Sequence, residues 1–128
     1  MAQKILVVDD ERSIADTIAE IISDAGYDVR CCYSGAEAID ILDNFEPNLL
    51  LTDVLMPGIN GFELALATKR RCSACRLLLF SGQASTAIVA QNFIDIFNKH
   101  GYRFELLPKP LHPDALLSKI EEALLQAV

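Results

Sequence analysis

The sequence lacks any apolar run near the roughly 20 residues that a membrane-spanning helix requires, and no signal peptide is visible. Basic residues are also few. Eleven Lys and Arg against eighteen Asp and Glu give a net charge of −7, which argues against direct nucleic-acid binding. Repeats, linkers and low-complexity tracts are missing too. We therefore expect a cytoplasmic protein with neither membrane nor nucleic acid as a direct partner.

What remains is enough for one folded unit. The chain has 128 residues, of which 52% are hydrophobic, so disorder is disfavoured. A chain of this length buries roughly two-thirds of its unfolded surface without needing disulfides. We predict a single domain spanning residues 1–128.

The four cysteines do not form a convincing redox or metal motif. Cys72 and Cys75 have CxxC spacing, but they follow a predicted helix and precede a predicted strand. A thioredoxin-like motif would instead follow a strand and open a helix. Cys31 and Cys32 fall within a predicted strand. We expect four free thiols.

Short apolar runs alternate with segments of helical periodicity along the whole chain. A first helix carries the apolar stripe Ile14, Ile18, Ile21, Ile22 and Ala25, and Gly26 is placed to end it. Five strands alternating with five helices predict an α/β fold with right-handed crossovers and a parallel sheet. The predicted strands are Lys4–Val8, 28–33, Leu49–Asp53, Arg76–Phe80 and 103–107. The later helices are predicted to start at a Ser34–Glu37 capping box, at Gly61, at Ser85 or Thr86 (ending near Lys99), and at Pro113.

Carboxylates follow two of the most apolar predicted strands. Asp9 and Asp10 come after the first strand, and Asp53 ends the third. Parallel strands end at the same edge of a sheet, where ligands bind in this fold class, so the three side chains should converge. Each pair about 5 Å apart would repel by roughly 3 kcal/mol at an effective dielectric of 20. Without a nearby His or Cys, such a cluster favours a hard cation, most plausibly Mg²⁺. His100 and His112 lie away from these strand ends, so surface or helix-end roles are expected for them.

Four short blocks occur in order along almost the whole chain. They are Val7-Val8-Asp9-Asp10-Glu11, Asp53-Val54-Leu55-Met56-Pro57 with Gly61, Phe80-Ser81-Gly82, and Lys109-Pro110. Together they resemble the receiver domain of two-component response regulators. The resemblance implies a flavodoxin-like, doubly wound sheet of order 2-1-3-4-5. It also implies that Asp53 accepts a phosphoryl group from the phosphohistidine of a sensor histidine kinase or phosphotransfer protein. The protein would then be a signalling switch and not an enzyme.

The same resemblance assigns the metal ligands. Asp53 and Asp10 would bind Mg²⁺ directly, Asp9 would act through water, and Leu55 would contribute its backbone carbonyl.

The resemblance also assigns two groups that contact the phosphoryl oxygens. Lys109 would hold one oxygen as a point charge, and the Lys109–Pro110 bond would be cis. The hydroxyl of Ser81 would donate to another oxygen and shift inward on phosphorylation.

The sequence departs from the family at Leu106, where the family usually carries an aromatic residue that moves behind the shifted hydroxyl. Phe104 lies two residues earlier and should share a face with Leu106. The segment between Ser81 and Lys109 is also longer than usual for the family.

The fourth helix is apolar around much of its circumference. Ile88 and Ile94 fall outside the stripe that would cover the sheet, which is Val89, Phe93, Ile96 and Phe97. If exposed, these two isoleucines would form a surface for a downstream protein or a homodimer. We expect phosphorylation to switch the face formed by the fourth helix, the fifth strand and the fifth helix.

Two other functions compete with this interpretation. A receiver-like binding module that works without phosphate would have no need of the full acidic set with Ser81 and Lys109. An aspartate-nucleophile phosphatase would carry a second Asp two residues after the nucleophile, where Leu55 stands. Whether the chain is a stand-alone receiver or part of a larger protein is left open by the sequence.

Overall fold

The computed structural model describes residues 2–82 and 85–126, with only the backbone at 85 and 86. Five strands alternate with five helices, as predicted. The strands are β1 (Lys4–Val8), β2 (Asp28–Cys32), β3 (Leu49–Asp53), β4 (Arg76–Phe80) and β5 (Glu105–Leu107). The helices are α1 (Arg12–Asp24), α2 (Gly35–Ile41), α3 (Gly61–Arg71), α4 (Ser85–His100) and α5 (Pro113–Leu125).

All five strands are parallel and lie in the order β2-β1-β3-β4-β5, which confirms the expected doubly wound, flavodoxin-like sheet. The register aligns the carboxyl ends of the inner strands. Val8 lies opposite Thr52, and Phe80 lies between Asp53 and Leu107 on its two neighbours. The residues that follow these strands therefore emerge along one edge.

The sheet lies between two helical layers. Leu49, Leu50 and Leu51 are fully buried because successive side chains point into opposite layers. Leu50 packs in the layer under α2, α3 and α4, whereas Leu49 and Leu51 pack in the layer under α1 and α5. Burying a leucine side chain contributes roughly 1.5–3 kcal/mol, so these short strands anchor the domain. None of the described helices is long and apolar enough to cross a membrane.

Most helix ends lie where the sequence pattern placed them. Gly26 follows α1 with a φ of +102°, and Pro113 is the first residue of α5. The predicted capping box of α2 is only half formed. Ser34 Oγ accepts a hydrogen bond from the Glu37 N–H, as in a capping box. The Glu37 carboxylate, however, accepts from the Ser34 hydroxyl at 3.5 Å and not from the backbone N–H of Ser34. The predicted Ser85 or Thr86 cap lies outside the described side chains.

A complete capping box opens α3 instead. Asn60 Oδ1 accepts from the Glu63 N–H at 2.9 Å, and Glu63 Oε1 accepts from the Asn60 N–H at 3.0 Å. Asparagine in place of Ser or Thr hid this box in the sequence.

Strand β2 ends at Cys32, one residue earlier than predicted. Tyr33 is held towards α1 because its hydroxyl donates to Asp16 Oδ1 at 2.6 Å and the Arg12 guanidinium lies 4.2 Å from its ring centroid.

Strand β5 begins at Glu105, two residues later than predicted. Gly101 has a φ of +70°, and the N–H of Tyr102 donates to the carbonyl of Phe97, so the chain is still turning at these residues. The ring of Phe104 packs 4.9 Å from that of Phe97. Side-chain packing replaces strand pairing there.

The predicted inward stripe of α4 is wrong at one position. Phe97 is fully buried and Val89 and Phe93 are partly buried, but Ile96 is 37% exposed.

Candidate functional site

Three carboxylates meet at the carboxyl edge of the sheet, as the sequence predicts. Asp9 and Asp10 follow β1, and Asp53 ends the neighbouring strand β3. One oxygen from each residue lies within 4.8 Å of the other two. Asp9 is buried, Asp53 is half-buried and Asp10 is exposed, so the cluster opens to solvent on the Asp10 side. All-oxygen donors at this spacing suit a hard divalent cation.

Backbone amides orient the two less exposed carboxylates. Asp9 Oδ1 accepts from the Glu11 N–H at 3.0 Å, and Asp53 Oδ1 accepts from the Val54 N–H at 3.0 Å. In each residue the other oxygen, Oδ2, faces the same cation. The turn after each strand therefore fixes both side chains.

That cation is Lys109, which follows β5 as predicted. Its Nζ lies 2.8 Å from Asp9 Oδ2 and 3.4 Å from Asp53 Oδ2. The ammonium also lies 5.3 Å from the ring centroid of Phe80, a contact that no pattern in the sequence indicated. The Lys109–Pro110 bond is cis, as the resemblance implies.

Burial and charge act in opposite directions at this site. Burial raises the pKa of Asp53 above its ordinary value and the charge of Asp9 adds to this rise, while Lys109 opposes it. Burial alone would lower the pKa of Lys109. The hydrogen bond to Asp9 and the two negative charges outweigh burial, so the pKa of Lys109 is raised. Lys109 is therefore a cation at neutral pH.

The two remaining predicted residues, Ser81 and Leu55, follow the neighbouring strands β4 and β3. Ser81 follows β4, and both its N–H (2.8 Å) and its hydroxyl (3.4 Å) donate to the carbonyl of Leu107. Within residues 2–82 and 85–126, this hydroxyl forms no hydrogen bond to Asp53 or Lys109. Leu55 lies in the loop two residues beyond Asp53 and is partly buried.

Gly61 closes that loop in a way the sequence did not reveal. Its N–H donates to the carbonyl of Val54 at 2.8 Å. A Cβ at this position would lie 2.3 Å from the Asp53 carbonyl oxygen and 2.9 Å from Val54 Cα. Any side chain here would displace the backbone that carries Asp53. The sequence showed Gly61 as a break between strand and helix and as part of a block that resembles the receiver family, but it did not show this close approach to the Asp53 backbone.

The departure at Leu106 is visible in the packing. Phe104 packs edge-on against Phe62, with centroids 5.3 Å apart, and contacts Phe97 of α4. Leu106 lies at the surface. The aromatic residue of this segment is thus part of the core beside α4.

The histidines and cysteines have the structural roles expected of them. His112 caps α5 by accepting from the Asp114 N–H through Nδ1, and His100 stacks on Tyr102 at the end of α4. All four cysteines are free thiols.

Known proteins share this fold and much of the sequence pattern. The family model described as response regulator receiver domain matches residues 5–121. The chemotaxis protein CheY4 of Vibrio cholerae superimposes with a TM-score of 0.82 at 26% identity, covering 96% of this chain and 99% of that one. A CheY-like receiver protein of Methanospirillum hungatei gives 0.79 at 25% identity, covering 97% and 94%. NtrX of Brucella abortus gives 0.79 at 30% identity and covers 97% of this chain, which spans 27% of NtrX. The chain belongs to the response regulator receiver domain family.

Proposed function

We propose that this domain is a phosphorylation-dependent signalling switch whose phosphoacceptor is Asp53. The observation that carries the proposal is the cluster of three carboxylate oxygens within 4.8 Å, with Lys109 Nζ 3.4 Å from Asp53. The donor is the phosphohistidine of a sensor histidine kinase or phosphotransfer protein. Membership of the receiver family and the receiver-like neighbours support this assignment.

Asp53 supplies the nucleophile. In the transfer, a bond forms between an Asp53 oxygen and phosphorus while the bond between phosphorus and the imidazole nitrogen breaks. A carboxylate is a weak nucleophile, so positioning has to supply much of the rate. The Val54 N–H holds one Asp53 oxygen, and Gly61 allows the backbone to pack closely beneath it.

The charges of the site fit a divalent metal. Three carboxylates and one ammonium leave an excess of two negative charges, and every candidate donor is oxygen. We propose that Asp53, Asp10 and the Leu55 carbonyl hold Mg²⁺ directly and that Asp9 holds it through water. Bound Mg²⁺ would neutralise charge on the phosphoryl oxygens during transfer.

Lys109 and Ser81 would bind the phosphoryl group once it is on Asp53. Lys109 already contacts Asp53, so it needs only a small shift to reach a phosphoryl oxygen. Ser81 has to leave the Leu107 carbonyl. A 3.4 Å contact is long for a hydroxyl donor, so the cost of this exchange is small.

The movement of Ser81 would start the output. Ser81 precedes α4, on which Ile88 (67%) and Ile94 (39%) are exposed, and Leu106 of β5 is exposed as well. These apolar side chains define the candidate output surface. We propose that phosphorylation biases the position of this surface, on the face of α4, β5 and α5, and that a downstream protein binds it. If the protein instead self-associates through this surface, its molecular mass in solution should rise with protein concentration.

Intact-mass measurement after treatment with acetyl phosphate tests the proposal. We expect one added phosphoryl group in the presence of Mg²⁺, much slower addition in EDTA, and none in Asp53→Asn. Asp24→Asn, an exposed carboxylate at the far end of α1, is the matched control and should be phosphorylated normally. A binding module that works without phosphate would gain no mass. A phosphatase would hydrolyse many phosphate molecules per protein molecule, whereas the switch would carry one phosphoryl group as added mass.

A further inference from the structure

A polar cavity lies at the opposite edge of the sheet from Asp53. It has a volume of about 640 Å³ and lies among the C-terminal ends of α3, α4 and α5. The first residues of β4 and β5, Arg76 and Glu105, form part of its wall. No step of the proposed phosphotransfer uses this cavity.

Lys69 is a buried cation in the wall of this cavity. The residue is 7% exposed, and its Nζ donates to the carbonyl of Ser73 at 3.0 Å and lies 5.7 Å from the ring centroid of Tyr102. Among the residues that the structure describes, no carboxylate lies within 4.0 Å of this ammonium. Burying a charge without a counter-charge is costly, and burial accordingly lowers the pKa of Lys69.

Arg76 brings a second positive charge with an unused donor. One terminal nitrogen donates to the carbonyl of Ala74 at 3.1 Å and the other donates to the carbonyl of Gln126. Its Nε is buried and has no hydrogen-bond partner in the described part of the chain. Because this N–H has almost no accessible surface, Arg76 acts on the cavity through its charge and not through this donor.

The remaining charges of the wall do not neutralise these two cations. Glu105 lines the cavity but pairs with Lys119 at 2.9 Å. Arg103 and His100 are further basic residues of the lining. Helix C-termini carry partial negative charge, which helps to explain why cations stand at this edge. Each helix end carries only about half a negative charge, which is weaker than the full positive charge of each of the two cations.

We infer that this cavity binds a small anion that carries a phosphoryl group. Lys69 and Arg76 supply positive charge in the cavity wall, which phosphate oxygens bind. The volume falls within the range of small-molecule sites and exceeds what one phosphate fills, so it has room for an organic group attached to the phosphate. The site is separate from Asp53 and requires no Mg²⁺.

Amide chemical shifts of ¹⁵N-labelled protein would measure this binding. We would titrate inorganic phosphate and, separately, adenosine monophosphate at constant ionic strength in EDTA, using Asp53→Asn to keep the two sites apart. Saturable shifts should appear in residues 69–78 and 98–105. Lys69→Met should weaken binding about tenfold or more, the effect of losing a hydrogen bond to a charged group. Arg70→Met removes the same charge from an exposed neighbour and should change affinity less than about twofold.

The two ligands distinguish what the site recognises. Tighter binding of the nucleotide means that the organic group contacts the wall, and equal binding means that the phosphoryl group alone is recognised. Shifts that never saturate, or equal affinities for Lys69→Met and the parent, would overturn the inference. If Lys69→Met does not fold, Arg76→Met provides the second test. It removes a positive charge from the cavity wall, so unchanged affinity there would also overturn the inference.

Discussion

Replacing Lys109 with methionine removes a positive charge from between two carboxylates while keeping most of the aliphatic stem. At an effective dielectric of 20, the 2.8 Å and 3.4 Å contacts to Asp9 and Asp53 correspond to about 6 and about 5 kcal/mol of Coulomb attraction. Desolvation of the ammonium offsets much of this attraction. Removing one partner of a fully buried ion pair costs about 3–5 kcal/mol. Because Lys109 remains 21% exposed, we expect Lys109→Met to lower the free energy of unfolding by about 2–4 kcal/mol without Mg²⁺.

Mg²⁺ should reverse part of that loss. The variant keeps all three carboxylates and loses a positive charge 3.4 Å from a proposed ligand, so its affinity for Mg²⁺ should rise. A ligand at a hundred times its dissociation constant stabilises the folded state by about 2.7 kcal/mol. The difference in unfolding free energy between Lys109→Met and the parent should therefore narrow as Mg²⁺ is added.

Urea unfolding followed by circular dichroism, in EDTA and in excess Mg²⁺, would measure both effects. Lys119→Met is the matched control, because Lys119 pairs with Glu105 at 2.9 Å but both side chains are 41% exposed. Solvent screens such a pair, so its loss should be much smaller and independent of Mg²⁺. If Lys109→Met loses no more unfolding free energy than Lys119→Met in EDTA, then water already screens the carboxylate cluster and the reasoning is refuted.

Four further predictions concern the site, the thiols and the output face. Asp10→Ala should weaken Mg²⁺ binding, slow phosphorylation and stabilise the metal-free fold by relieving repulsion; an unchanged affinity in a Mg²⁺ titration would contradict this. Burial raises the folded-state pKa of Asp53 above its ordinary 3.8, so the metal-free protein should lose stability as pH rises through that folded value. Asp53→Asn should lack this loss of stability. If urea unfolding gave the same pH profile for Asp53→Asn and the parent, the prediction would be contradicted. Burial raises the pKa of Cys75 from 9.0 to about 12, so Cys75 should hold about a thousandfold less thiolate than it would at the ordinary value. Because Cys75 is also buried and Cys72 is partly exposed, Cys75 should be alkylated far more slowly than Cys72, and equal rates by peptide mass mapping would disprove this. Beryllofluoride with Mg²⁺ should change hydrogen exchange more in residues 85–102 than in α1, and equal changes in both would rule out α4 as the responsive element.

The sequence alone determined the architecture and the members of the acidic cluster. A run such as Leu49–Leu51 has strand length and no polar face, which leaves it one arrangement, a strand covered on both sides. Alternation with helical segments then requires parallel strands. Parallel strands bring Asp9, Asp10 and Asp53 to one edge, and the structure places their oxygens together there. The strand order came from the family resemblance, because periodicity carries no information on which strands are neighbours.

Only the tertiary structure decided features that depend on distances between remote segments. The contact between Lys109 and Asp9 joins residues 100 positions apart, and the close approach of Gly61 to the Asp53 backbone depends on how one loop closes. Ile96 followed the helical period expected of a core residue, yet its side chain is 37% exposed in the folded chain. Lys69 and Arg76 look like ordinary surface cations in the sequence. Their position in the wall of one cavity, with no carboxylate paired to either among the described residues, follows from where three helices end, and no local pattern encodes that position.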